Sequence, residues 1–281
     1  MPIAAQYIPA ACSLTAVGVW GASDFLGGVG TRRANAFLFT TIVHVSGMTV
    51  VAAIALAVHA PFPSSASVLW SMLAGALGGS ALVFFYRALS QGNMGLIAPV
   101  AAVLSAAIPT LVTAFAEGVP SKLKILGFIL AGIGVWLISR TEGASARPEG
   151  LGVAVLAGLG FAGFYLCVHR AGNSNALWVA ACSRSASFVI TGLIVLFGKQ
   201  LNRISRSILG IAVLAGILDT AGTIAFVLGA QLGRLDVAVV LSSLYPAVTV
   251  LLARIFLDEH FSRTRTLGML AALVAVPMIA G

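Results

Sequence analysis

Leu235 to Gly281 reads LDVAVVLSSLYPAVTVLLARIFLDEH, then FSRTRTLG, then MLAALVAVPMIAG. An apolar run carrying Ser242, Ser243, Tyr245 and Pro246 ends at Asp258 and Glu259. A basic connector with Arg263 and Arg265 follows, and Gly268 opens a second apolar run. The same order of features occurs half a chain earlier. Gly127 stands 141 positions before Gly268 (268 − 127 = 141), and the same offset pairs Ser121 with Ser262, Lys122 and Lys124 with Arg263 and Arg265, and Gly92 with Gly233. The chain therefore reads as one unit written twice, residues 1–141 and 142–281, joined through the polar stretch Arg140 to Gly150.

Of the 281 residues, 59% are hydrophobic and 9% charged. A soluble domain carries about 25% charged residues, so this composition cannot cover a water-facing surface. The expected class is an all-α integral membrane protein. Ten apolar runs, from Ile8–Val29 to Thr266–Ala280, are each near the roughly 20 residues a membrane helix needs, and the connectors are too short for a soluble domain. Five helices per half put the second half into the membrane upside down relative to the first. Such inverted repeats place a transport site near the midplane between the halves. Small residues four apart, Gly75 with Gly79 and Gly127 with Ala131, suit close helix packing in lipid.

The net charge of +8 does not indicate a nucleic-acid partner, because the basic residues stand singly at the ends of apolar runs, where lipid headgroups lie. Cys12, Cys167 and Cys182 sit inside apolar runs without CxxC spacing. His44, His59, His169 and His260 are dispersed, so no metal site is expected. No phosphate-binding GxxxxGK[ST] loop and no nucleophile motif appear, and neither an enzyme nor a cofactor is expected. Energy for uphill movement must then come from an ion gradient or from the solute itself.

Charged groups inside membrane helices are costly and mark function by default. Asp24 and Asp219 lie within runs, whereas the other acidic residues stand at run ends or in connectors. Two readings fit both aspartates: a site for protons or cations facing a cavity, or a structural ion pair with Arg87 or Arg184. Asp219, being nearest mid-helix, is the first choice for proton coupling, and Asp24 the second. Arg87 and Arg184 suit a solute carboxylate. Trp20, Tyr86, Tyr165 and Tyr245 suit an aromatic cavity wall, with Ser23 and Ser242 as hydroxyl contacts. Pro99 and Pro246 lie within runs and remove backbone donors. Pro246, beside Ser242 and Ser243, is the better hinge, since those hydroxyls can satisfy freed carbonyls.

Trp20-Gly21-Ala22-Ser23-Asp24-Phe25-Leu26-Gly27-Gly28 resembles the first helix of EamA-type members of the drug/metabolite transporter superfamily. Tyr86-Arg87-Ala88-Leu89-Ser90-Gln91-Gly92 with Ala98-Pro99-Val100 resembles their passage from helix three to four, and Leu244-Tyr245-Pro246-Ala247-Val248 through Glu259 their helix nine. Asp24 is a departure, standing where the family commonly has asparagine. The resemblance implies a ten-helix secondary carrier in the bacterial inner membrane. It would export small organic metabolites such as amino acids by alternating access, with protons as the expected counter-ion. A cation exporter is the second reading and a non-transporting scaffold the third. Connectors after odd-numbered runs hold most Lys and Arg, which places both termini outside by charge; the resemblance implies both in the cytoplasm. The sequence is silent on oligomeric state.

Overall fold

The computed structural model describes residues 7–91, 94–139, 151–201, 203–257 and 262–280. All regular structure in these residues is helical: α1 (Ile8–Thr31), α2 (Ala36–Ala57), α3 (Ser65–Gln91), α4 (Met94–Glu117), α5 (Lys122–Ser139), α6 (Leu151–Arg170), α7 (Ala176–Phe197), α8 (Arg206–Leu232), α9 (Leu235–Ser242), α10 (Tyr245–Leu257) and α11 (Arg263–Ala280). Six spans in the described residues are long and apolar enough to cross a membrane: α2, α3, α6, α7, α8 and the combined stretch Leu235–Leu257. Ten were expected. α1 has the length, but Trp20, Ser23 and Asp24 and its many small residues dilute it, because it runs through the interior of the bundle.

Local chemistry starts and ends these helices in a repeating way. Asn35 caps α2 by accepting from the amides of Phe37 and Leu38, and Asn175 caps α7 by accepting from Leu177. α2 runs out into His59 at φ 51°, and α7 into Lys199 at φ 50°. Ser64 and Ser205 each accept from the amide three residues on, at the starts of α3 and α8.

The helices pack in pairs: α1 on α8, α3 on α6, α2 on α7 and α5 on α11. Close approach depends on missing side chains. A Cβ on Gly75 of α3 would lie 1.9 Å from the Ser183 carbonyl oxygen of α7, and one on Gly216 of α8 would lie 2.2 Å from the Val43 carbonyl oxygen of α2. The expected small-residue seam at Gly75 and Gly79 is thus an α3–α7 contact, with Ser183 and Ser187 opposite.

The bundle is apolar outside and polar within. Phe115 is 90% exposed and Phe197 78%, while Ser23, Asp24, His44, Arg184 and Asp219 are buried. Such a surface suits lipid.

The ninth expected helix is broken. α9 ends at Ser242 and α10 begins at Tyr245. Pro246 has no amide hydrogen, and its ring would clash with the carbonyl of residue 242 in a continuous helix. The Ser243 hydroxyl turns back to the Val240 carbonyl at 2.7 Å, as expected of a hydroxyl beside the break. Ser242 Oγ has no hydrogen-bond partner among the described residues. α4, by contrast, runs unbroken through Pro99, whose side chain lies outside the described residues.

Candidate functional site

α1, α3, α6, α7, α8 and α10 converge on a central cavity of about 40 Å³. Trp20, Phe161, Phe164, Tyr165 and Tyr245 form its aromatic wall, and Asp24, Arg184 and Asp219 are its charged members. Trp20 is the hub. Its ring centroid lies 6.1 Å from Tyr165, 5.7 Å from Phe226 and 6.5 Å from Tyr245, and its indole N–H donates to the Asp219 carbonyl at 3.0 Å. A Cβ on Gly222 of α8 would sit 2.4 Å from this indole, so that glycine makes room for it.

The charged groups are arranged unequally. Arg184 Nη1 lies 2.7 Å from Asp219 Oδ2, with both side chains nearly excluded from solvent. Arg184 Nη2 donates to the Thr223 hydroxyl and, at 3.4 Å, to the Asp219 carbonyl. Thr223 donates in turn to that same carbonyl at 3.1 Å. Both terminal nitrogens of the guanidinium are therefore engaged. Asp24 is 6% exposed, lines the same cavity and has no hydrogen-bond or ion-pair partner among the described residues. The Tyr245 hydroxyl is likewise buried and unpartnered among them. With all three charged groups ionised, the wall carries one surplus negative charge, and that charge belongs to Asp24.

Six of the ten expected site residues, Trp20, Asp24, Tyr165, Arg184, Asp219 and Tyr245, meet at this cavity. Ser23 and Tyr86 form a layer behind it: Ser23 Oγ donates to the Ala215 carbonyl at 2.9 Å and stands 3.2 Å from the Tyr86 hydroxyl. Ser242 is buried at the helix break, away from the cavity lining. Arg87 is a correction. It is exposed, because a helix turns about 100° per residue and its neighbour Tyr86 takes the inward position. Phe164, Ser183 and Thr223 line the site without having been singled out. Ser183 and Thr223 stand one residue from Arg184 and four from Asp219, and that spacing was the available signal. A larger hollow of about 350 Å³ lies between α4, α5 and α9, and among the described residues no ionisable side chain lines it. Among the described residues no group of His, Cys, Asp or Glu is placed to hold a metal.

Residues 149–281 match the model of the EamA-like transporter family. The family match thus falls on the second half of the chain, α6 to α11. A solved protein, titled only as a crystal structure of a protein, shares the fold: 18% identity, a TM-score of 0.77, and coverage of 96% of this chain and 95% of that one. Among curated proteins, none matches the chain. With six membrane-capable helices among the described residues and an apolar exterior, the structure has the form of an integral membrane protein, and the matched family is one of transporters.

Proposed function

We propose that this protein is a secondary carrier that binds the ammonium group of an organic solute at Asp24 and exchanges that solute for protons. The observation that carries the reading is the contrast between the two buried aspartates. Asp219 is matched by Arg184, whereas Asp24 is unmatched beside an aromatic wall. A buried carboxylate without a counter-charge is costly. Two ligands relieve the cost, a proton or a solute cation, and they compete for one group. That competition couples the two flows without a second site. Trp20, Tyr165 and Tyr245 add the π-faces that attract a desolvated cation. The order of coupling residues expected from sequence is thereby reversed, with Asp24 ahead of Asp219.

Arg184 argues against an amino acid as the preferred cargo. Its two terminal nitrogens are engaged, and only Nε lacks a protein partner. A solute carboxylate would have to break the Asp219 pair. An amine with an apolar body fits, which favours the cation reading over amino acid export.

Two inverted five-helix halves, ten crossings in all, fit the packing. Exchanging each helix of residues 1–141 with its counterpart in 142–281 turns the α1–α8 contact into α6–α3 and returns α2–α7 and α5–α11 to themselves. The glycine seams obey the same exchange. A cavity of about 40 Å³ is closed to organic solutes, whose pockets run about 300–1,000 Å³. Opening it calls for movement between the halves, and the break before Pro246 is the natural hinge. The resemblance alone supports a bacterial inner membrane and an outward direction.

Counterflow in proteoliposomes tests the function. Labelled benzyltrimethylammonium, a quaternary cation that cannot shed a proton, should accumulate against its gradient when the unlabelled cation is preloaded or when the lumen is acidic. Asp24→Asn should abolish both. Unchanged accumulation in Asp24→Asn would refute the assignment of the site.

A further inference from the structure

Behind the cavity, where α2, α3, α7 and α8 meet, lies a cluster of polar atoms that the transport reading does not use. His44 is fully buried on α2, and neither ring nitrogen has a hydrogen-bond partner among the described residues. The Gly79 backbone is near enough to be a loose partner of the ring, short of good hydrogen-bond geometry, and the Arg184 charge acts on it. Arg184 Nε is buried and unpartnered, and so is the hydroxyl of Thr220 on α8. Thr220 packs against Gly47, three residues along α2 from His44, so closely that a Cβ on Gly47 would fall 2.0 Å from its oxygen. Buried polar atoms from α2, α7 and α8 thus stand in one region with no hydrogen bond to one another. Native interiors rarely leave such atoms unmatched, and bound water is the usual partner.

We infer that a buried water joins His44, Thr220 and Arg184 Nε, and that His44 is through it a positioning residue for Arg184. The guanidinium has five N–H donors in a fixed plane. Nη1 and Nη2 fix one edge of that plane on Asp219 and Thr223. Holding Nε from behind fixes the remaining edge and stops the plane from swinging into the cavity. Neutral imidazole suits this place because it presents an acceptor without a charge, whereas lysine or arginine there would repel Arg184. Gly47 leaves the room that the Thr220 hydroxyl occupies. With Arg184 pinned, Asp24 keeps its unmatched charge for the solute. Without His44, Arg184 can turn from Asp219 towards the Asp24 side of the cavity and neutralise the site.

This inference rests on the proposed cation site for its consequence in transport, but the coupling of His44 to Arg184 can be measured without transport. Thermal melts of detergent-purified protein should be taken for His44→Phe, Arg184→Lys and the double variant. Lysine lacks Nε–H, so the second substitution in either order should add little, and the two single shifts in Tm should not sum. Strictly additive shifts would overturn the link. In proteoliposomes, His44→Phe should raise KM for benzyltrimethylammonium about tenfold, the scale of one hydrogen bond to a charged group, with smaller loss of turnover. His44→Gln, which keeps an acceptor, should restore most of it. If His44→Gln and His44→Phe behave alike, or lose only folded protein, His44 is a packing residue and the positioning role fails. If the melts are non-additive while no variant or parent moves the cation, the His44 link stands and the cation reading falls.

Discussion

Arg184→Gln, Asp219→Asn and Asp24→Asn act on one cavity and should give opposite stabilities. Arg184 and Asp219 form an ion pair 2.7 Å long with almost no exposed side-chain surface. Removing one partner of such a pair leaves a buried charge uncompensated and costs about 3–5 kcal/mol. Arg184→Gln also takes donors from Thr223 and from the Asp219 carbonyl, so the upper half of that range applies. Replacing both partners with apolar residues, Arg184→Met with Asp219→Leu, leaves no stranded charge and should recover most of the loss. Asp24 is equally buried but unpartnered among the described residues, so Asp24→Asn removes a desolvated charge without orphaning another. It should leave stability unchanged or raise it by about 1 kcal/mol. Melting followed by intrinsic fluorescence in detergent at constant lipid content reads all four. The reasoning fails if Asp24→Asn destabilises as much as Asp219→Asn, for then Asp24 has a structural partner. It also fails if the Met–Leu double variant is worse than both single ones.

Trp20→Phe removes the indole N–H bond to the Asp219 carbonyl and the best cation-binding ring, and should cost about 1 kcal/mol, roughly a fivefold rise in KM for a quaternary amine. Gly75→Val places a branched side chain against the Ser183 carbonyl, and should cut the yield of folded protein through a loss of about 3 kcal/mol; the seam is misassigned if it melts like the parent. Pro246→Ala, which permits a continuous helix, should slow turnover several-fold while leaving the equilibrium dissociation constant of the cation within about twofold. A reporter fused after Gly281 and active on one side of the membrane only should report the cytoplasm; activity outside would favour the charge bias over the family likeness.

Features that depend on neighbours along the chain were legible in the sequence. Apolar runs and the proline inside Leu235–Leu257 follow from composition and backbone geometry over a few residues, which tertiary contacts scarcely alter. The glycines at 75 and 79 marked a seam for the same reason, though not its partner helix. The direction in which a side chain points across the bundle was not legible. Tyr86 and Arg87 are adjacent, and nothing local says that the tyrosine faces inward. Arg184 stands 35 positions from Asp219 (219 − 184 = 35) and 160 from Asp24 (184 − 24 = 160), and either aspartate suited it by charge. Only the packing of α7 against α8, with Thr223 holding the guanidinium, gave the arginine to Asp219 and left Asp24 bare. In a low-dielectric interior that choice sets the charge of the cavity, and charge is a property of the assembled site that no single stretch of sequence contains.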